Sequence, residues 1–344
     1  MKKMKFVLAI ITTISLLTGH LNANEVNIFS SRHYDSDIQL YEKFTNQTGI
    51  KVNIISGEDA ALQKRIIEEG ADSKADIYIT SDAGRLGLFD SKGMFQNSMS
   101  SIIKDKVPVN YRSENWTGIS KRARIIFYSI DRVKNHEIEN LNYEDLSNLK
   151  WKNRIAIRQS NSIYNQSLLA SLISNNGVVN TENWAKEFVK NFSRSPKGND
   201  RAQILAVASG EADIAIANTY YYALMLSGQK GKDQQEAAQK VLPFYPNQNN
   251  RGTHMNISGA GILKTSKNKL NAIKFLEFLL SKESQEHIVK NTYEYPIIKD
   301  FDSYELISKM NLEIDFKEDL LTPVSDFAKY QPDALRIMLQ AGWK

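Results

Sequence analysis

From residue 26 onward, short runs of β-branched and aromatic residues alternate with longer stretches in which apolar positions recur every three or four residues. The first pattern fits buried strands and the second amphipathic helices. The series opens with a strand over 26–29 and a helix from about Asp37, whose apolar positions are Ile38, Leu40, Tyr41 and Phe44. Gly49 follows where a helix-terminating glycine belongs. Next come a strand over 52–55, a helix over 60–69 closed by Gly70, a strand over 77–80 and a helix over 85–92 before Gly93. A second series places strands at 124–129, 154–157 and 213–217, with helices near 164–174, 182–191, 201–209 and 220–226. A third, partial series has a strand over 242–245, a glycine-rich return at 258–261 and an apolar helix over 270–280.

Consecutive βαβ units of this kind predict an α/β fold with parallel sheets covered by helices. The return of the third series toward the first predicts two lobes joined by crossing strands. One lobe takes residues 24–115 plus about 246–294, and the other about 116–245 plus 295–344. Ligands in open α/β folds sit beyond the carboxyl ends of the strands, so the expected site is the cleft between the lobes.

Ahead of this region, Lys2, Lys3 and Lys5 precede an apolar run over 6–17 and a more polar stretch ending at Ala23. That layout predicts a secretory signal peptide over 1–23, because the apolar core falls short of the about 20 residues a spanning helix needs. The chain contains no cysteine. Disulfides, thiolate metal sites, thiol nucleophiles and an N-terminal lipid anchor are thereby excluded. Of the formal net charge of +5, three positives are Lys2, Lys3 and Lys5, and the remaining +2 is dispersed along the chain. Such mixed charge gives no footprint for nucleic acid.

Signatures of catalysis are missing too. None of the five histidines pairs with another at helical spacing for zinc, and there is no phosphate-binding loop. The stretch Asn256-Ile-Ser-Gly-Ala260 lacks the leading glycine of a nucleophile elbow, so Ser258-Gly-Ala-Gly261 reads as a close backbone crossing. The sequence predicts a binding protein, not an enzyme.

The most unusual local feature is Asn218-Thr-Tyr-Tyr-Tyr222, directly after the apolar strand over 213–217. Neighbouring strand residues face opposite ways, whereas at a helix start two consecutive tyrosines can share one site, with Asn218 or Thr219 as the cap. The helix dipole there favours anionic oxygen. Free tyrosine ionises near pH 10, so phenolate at neutral pH needs a strong local positive charge, which a hard cation such as ferric ion supplies. Taken alone, the run fits surface packing better than a metal site. Two further segments, Ser30-Ser-Arg-His-Tyr34 after the first strand and Asn161-Ser-Ile-Tyr-Asn-Gln-Ser167 at a helix start, occupy cleft-facing positions.

Together with Ser120-Lys-Arg-Ala-Arg124, Gly198-Asn-Asp-Arg201 and Arg251-Gly-Thr-His-Met-Asn-Ile-Ser-Gly259, these segments resemble the ferric-binding proteins of bacterial ABC importers. The similarity is to the branch that uses several tyrosines and no obligatory carbonate. It runs in order from residue 30 to residue 259. It implies a two-lobed periplasmic-binding-protein fold, a soluble monomer in the periplasm, Fe(III) as the transported ligand, and an ABC permease of the inner membrane as partner. It further implies Tyr34, Tyr164, Tyr220 and Tyr221 as ligands, His33 as an occasional additional one, and Arg124 as a nearby arginine donating to phenolate oxygens. Tyr222 is expected to pack, and Arg32, His254 and Asn256 to be structural or rim residues. The alternative is the same scaffold holding a small organic or oxyanion ligand.

Overall fold

The computed structural model describes residues 24–32 and 34–344, so the leader expected over 1–23 and the candidate ligand His33 lie outside the described residues. The first lobe begins with β1 (Glu25–Ser30), α1 (Asp35–Thr48), β2 (Lys51–Ser56), α2 (Asp59–Glu69), β3 (Ile77–Thr80) and α3 (Ala83–Ser91). β1 lies between β2 and β3 and pairs with both in parallel, as the βαβ pattern requires. Gly49 ends α1 in a left-handed conformation, φ 70°, with its N–H on the Thr45 carbonyl.

The sheet order is β2-β1-β3-β8-β4-β6-β5, where β4 is Trp116–Ser129, β5 Ile155–Ala156, β6 Ile214–Asn218 and β8 Met255–Ile262. Two short strands, β7 (Val241–Phe244) and β9 (Tyr295–Pro296), pair antiparallel with β4, the first at its carboxyl end and the second at Ser120 and Lys121. The long β4 is shared by the two lobes. Its first half, from Trp116 to Ala123, pairs antiparallel with β8, and its second half, from Arg124 to Tyr128, pairs antiparallel with β6. Around the second half lie α4 (Ile163–Asn176), α5 (Val178–Phe188), α6 (Asp200–Ala208) and α7 (Thr219–Leu226). α8 (Lys269–Leu279) and α9 (Lys282–Thr292) return to the first lobe, and the C-terminal α10 (Phe327–Gln340) packs against both α3 and α4.

Each lobe has its own aromatic nucleus. Phe275 meets Tyr41 and Phe44 edge-on at 5.2 and 5.1 Å in the first lobe; in the second, Trp184 stacks on Phe188, which meets Phe192 edge-on, as Phe192 in turn meets Trp343.

Two expectations change. The strand expected at 124–129 begins eight residues earlier, because Ser120 and Arg122, polar in sequence, are fully buried in pairing. The glycine-rich return at 258–261 is the interior of β8, not a turn. The glycines instead allow close approach. A Cβ on Gly259 would lie 2.8 Å from the Thr117 carbonyl oxygen and 2.6 Å from Leu86 Cδ1, and one on Gly261 would meet the Phe95 ring. Gly259→Ala should therefore destabilise the fold by about 1–3 kcal/mol through overpacking. Urea denaturation measures this, and an unchanged midpoint would show that the strand can relax.

Candidate metal centre

Each candidate tyrosine sits at the amino end of a helix that follows a strand. Tyr34 immediately precedes α1, Tyr164 is the second residue of α4, and Tyr220 and Tyr221 are the second and third of α7. Their hydroxyls thus lie where backbone N–H groups are unpaired and the local field is positive.

The structure gathers these side chains. The Tyr164 and Tyr220 hydroxyls are 3.4 Å apart, and the Tyr220 and Tyr221 rings stack with centroids 4.3 Å apart. Tyr34 comes from the other lobe, and its hydroxyl donates to Glu294 Oε1 at 3.4 Å. Burial pushes the Tyr220 phenol well up, and ionisation of Tyr164, Tyr221 or Tyr34 would push it further. For Tyr34, burial again leads, followed by the Glu294 carboxylate, with Arg32 opposing. Tyr221 is raised by burial and by Tyr164 and Asp200. The phenols of Tyr34, Tyr220 and Tyr221 are therefore neutral until a cation enters among them. No group of three or more His, Cys, Asp and Glu side chains able to hold a metal occurs among the described residues.

Arg124 is placed differently from the expectation of direct donation to phenolate. It lies under the tyrosine-bearing segments, with Nη1 donating to Asp200 Oδ2 at 3.1 Å and Asn218 Oδ1 at 3.0 Å, and Nη2 to Asn165 Oδ1 at 2.6 Å. Because its amide is engaged in this way, Asn218 does not cap α7 through its side chain. Asp200 also accepts from the Asn218 backbone N–H at 2.9 Å, so one carboxylate and one guanidinium fix Asn218, two residues before Tyr220, and Arg124 also holds Asn165, directly after Tyr164.

The cation that faces the phenols is Arg122. Its guanidinium carbon is 5.3 Å from the centroid of the Tyr164 ring, and its Nε, though buried, has no hydrogen-bond partner. Burial alone would lower its affinity for its proton, but Tyr164, Glu294, Tyr220 and Tyr34 outweigh that and raise it. Arg158 stands 5.3 Å from the same ring on the side of Asp200. Arg122 had a legible signal: two residues before Arg124 on a strand, it points to the same face. Glu294 offered less, an acidic residue between Tyr293 and Tyr295.

The remaining expected residues are structural. Tyr222 packs on Phe127 at 5.1 Å and donates to the Val241 carbonyl at 3.1 Å. His254 stacks on Phe327 at 5.1 Å, and burial, followed by Arg124 and Arg251, holds its imidazole well below the usual range and neutral. Asn256 bridges the Ala83 N–H and Asp82. Arg32 is buried in ion pairs with Asp37 and Glu294.

Two α/β lobes sharing a pair of crossing strands, with polar side chains from both lobes converging between them, define a solute-binding protein. Residues 31–286 match the bacterial extracellular solute-binding protein family, and the chain belongs to it. It is 45% identical to iron uptake protein A1 of Synechocystis, over 93% of this chain and 88% of that protein. The Trichodesmium protein IdiA, or FutA, whose structure holds iron and citrate ligands, is 47% identical with a TM-score of 0.87, covering 93% of this chain and all of that one. The ferric binding protein of Campylobacter jejuni is 37% identical with a TM-score of 0.85, over 93% of this chain and 100% of that one.

Removing the carboxylate that anchors Arg124 tests the frame of the site. Asp200→Ala strands a buried guanidinium and should cost about 3–5 kcal/mol, whereas Asp200→Asn keeps an acceptor for the Asn218 N–H and should cost less. Denaturant titration of the metal-free protein ranks the two, and equal stabilities would mean that the charge pair is not what holds these segments.

Proposed function

We propose that this protein captures Fe(III) in the periplasm through the phenolate oxygens of Tyr34, Tyr164, Tyr220 and Tyr221 and delivers it to an ABC permease of the inner membrane. The observation that carries this is the convergence of four phenols from three distant chain segments, with no alternative cluster of metal ligands among the described residues. Ferric ion is hard enough to prefer anionic oxygen and charged enough to displace the phenolic protons. The iron-related names of the relatives point the same way. His33, beside Tyr34, is a candidate fifth donor. On this reading the protein is monomeric and performs no turnover.

Phenolate bound to Fe(III) absorbs in the visible by charge transfer. Adding ferric citrate should therefore colour the protein, whereas a sugar- or oxyanion-binding protein would stay colourless. Tyr220→Phe or Tyr221→Phe deletes one oxygen with little change in packing. Each should weaken iron binding by more than about 100-fold, since loss of an outer partner alone typically costs about 10–100-fold. Tyr222→Phe is the control and should leave colour and affinity unaltered. If all three variants match the parent, the cluster is structural.

Four phenolates against a trivalent ion leave the inner sphere at net −1, so a further buried anion would be costly. Once loaded from a carbonate-free donor, iron should give its full band in carbonate- and phosphate-free buffer. A band that vanishes on stripping these anions and returns with carbonate would mean that one tyrosine, Tyr34 first, is not a ligand.

A further inference from the structure

Beneath Tyr34 lies a buried group of fixed charges that the ligand set does not explain. Glu294, in the single-residue step between Tyr293 and β9, is 1% exposed. Its Oε2 is tightly engaged, accepting from Arg32 Nη1 at 2.5 Å and Ser120 Oγ at 2.6 Å. Its Oε1 is not: Arg122 Nη1 stands 3.5 Å away and the Tyr34 hydroxyl 3.4 Å away. The Arg32 guanidinium carbon in turn lies 4.5 Å over the Tyr34 ring. Tyr34 is thus held on its face by a cation and at its oxygen by a carboxylate.

We propose that Glu294 is a positioning residue that competes with the metal for the Tyr34 oxygen, and so limits how tightly the closed site retains its cargo. The inference rests on the reading that Tyr34 is a ligand. In the iron-free protein the Tyr34 hydroxyl has a proton to donate, and Glu294 Oε1 is its acceptor. Once that oxygen is bonded to Fe(III) it has no proton, and the same contact sets a carboxylate against a phenolate. Arg32, Arg122, Asp37 and Glu294 carry two positive and two negative charges, so the group is balanced before metal arrives. It has no surplus cation to offset the −1 of a four-phenolate ferric site. Removing the Glu294 charge would release one. A carrier that must surrender a trivalent ion gains from such a built-in opponent, because it lowers the stability of the loaded form alone.

The test uses the mature protein loaded with ferric citrate, with decay of the visible band recorded after adding excess EDTA. Glu294→Gln keeps the shape and removes the charge, and iron release should slow by about tenfold or more, given the size of a charge–charge contact at this range in a protein. The iron-free form should at the same time unfold at lower denaturant, since Arg32 and Arg122 lose a counter-ion. A purely structural Glu294 predicts the same lower stability but paired with faster release. Faster or unchanged release would overturn the proposal. If the Gln variant does not fold, Glu294→Asp keeps the charge but withdraws it by one methylene from Tyr34, and must also slow release; parental or faster decay would overturn the proposal equally. An absent band in the parent protein would instead refute the ferric reading itself, independently of Glu294.

Discussion

Two guanidiniums on one face of one strand hold the site together. Arg122 and Arg124 stand two residues apart on β4, the strand both lobes share, yet they serve opposite sides. Arg122 bonds the Ser81 and Ile257 carbonyls, Ser258 and Glu294, all in the first lobe or on the crossing strand. Arg124 bonds Asp200, Asn165 and Asn218, all in the second. Burying two positive charges in a strand is expensive, and each is tolerated only because a buried carboxylate, Glu294 or Asp200, is fixed beside it. The segments that supply those carboxylates and amides also carry, or adjoin, the tyrosines. The requirement to neutralise β4 thereby sets where the phenols stand.

Much of the fold was legible because its signals are local. The β1-α1-β2-α2-β3-α3 series follows from apolar period and glycine stops, and the helix start at Tyr220 from the change of pattern after Ala217. What failed was the reading of polar residues inside strands. Ser120, Lys121 and Arg122 look like a solvated interruption, and only partners far away in sequence, Glu294, Ser258 and Ser81 for the buried Ser120 and Arg122 and Glu318 for the half-buried Lys121, make the strand tolerable there. The same non-locality hid Glu294 as a neighbour of Tyr34, 260 residues apart. The glycines of β8 were legible as a close backbone crossing, and the packing of Thr117, Leu86 and Phe95 against them is what requires it.

The tyrosine cluster was visible as residues but not as an electrostatic object. Stacking Tyr220 on Tyr221 and bringing Tyr164 to within 3.4 Å of Tyr220 creates mutual opposition to ionisation, which burial strengthens. Such a site is almost inert to protons near neutrality, yet it presents several oxygens to any ion that can repay their deprotonation. On the proposed ferric reading, selectivity for high charge would follow from the cost of ionising these phenols, without a rigid cage matched to one ionic radius.

The phenol of Tyr143 carries a different implication. Its hydroxyl donates to the Arg124 carbonyl at 2.5 Å and accepts from the His254 N–H at 3.2 Å, closing the β4–β8 ladder where the strands part. A slide of one strand along the other would break both bonds at once and leave buried groups unpaired. A change of twist about the same point would keep them. A single oxygen atom thus ties both shared strands together at the point where they part, and fixes their register there.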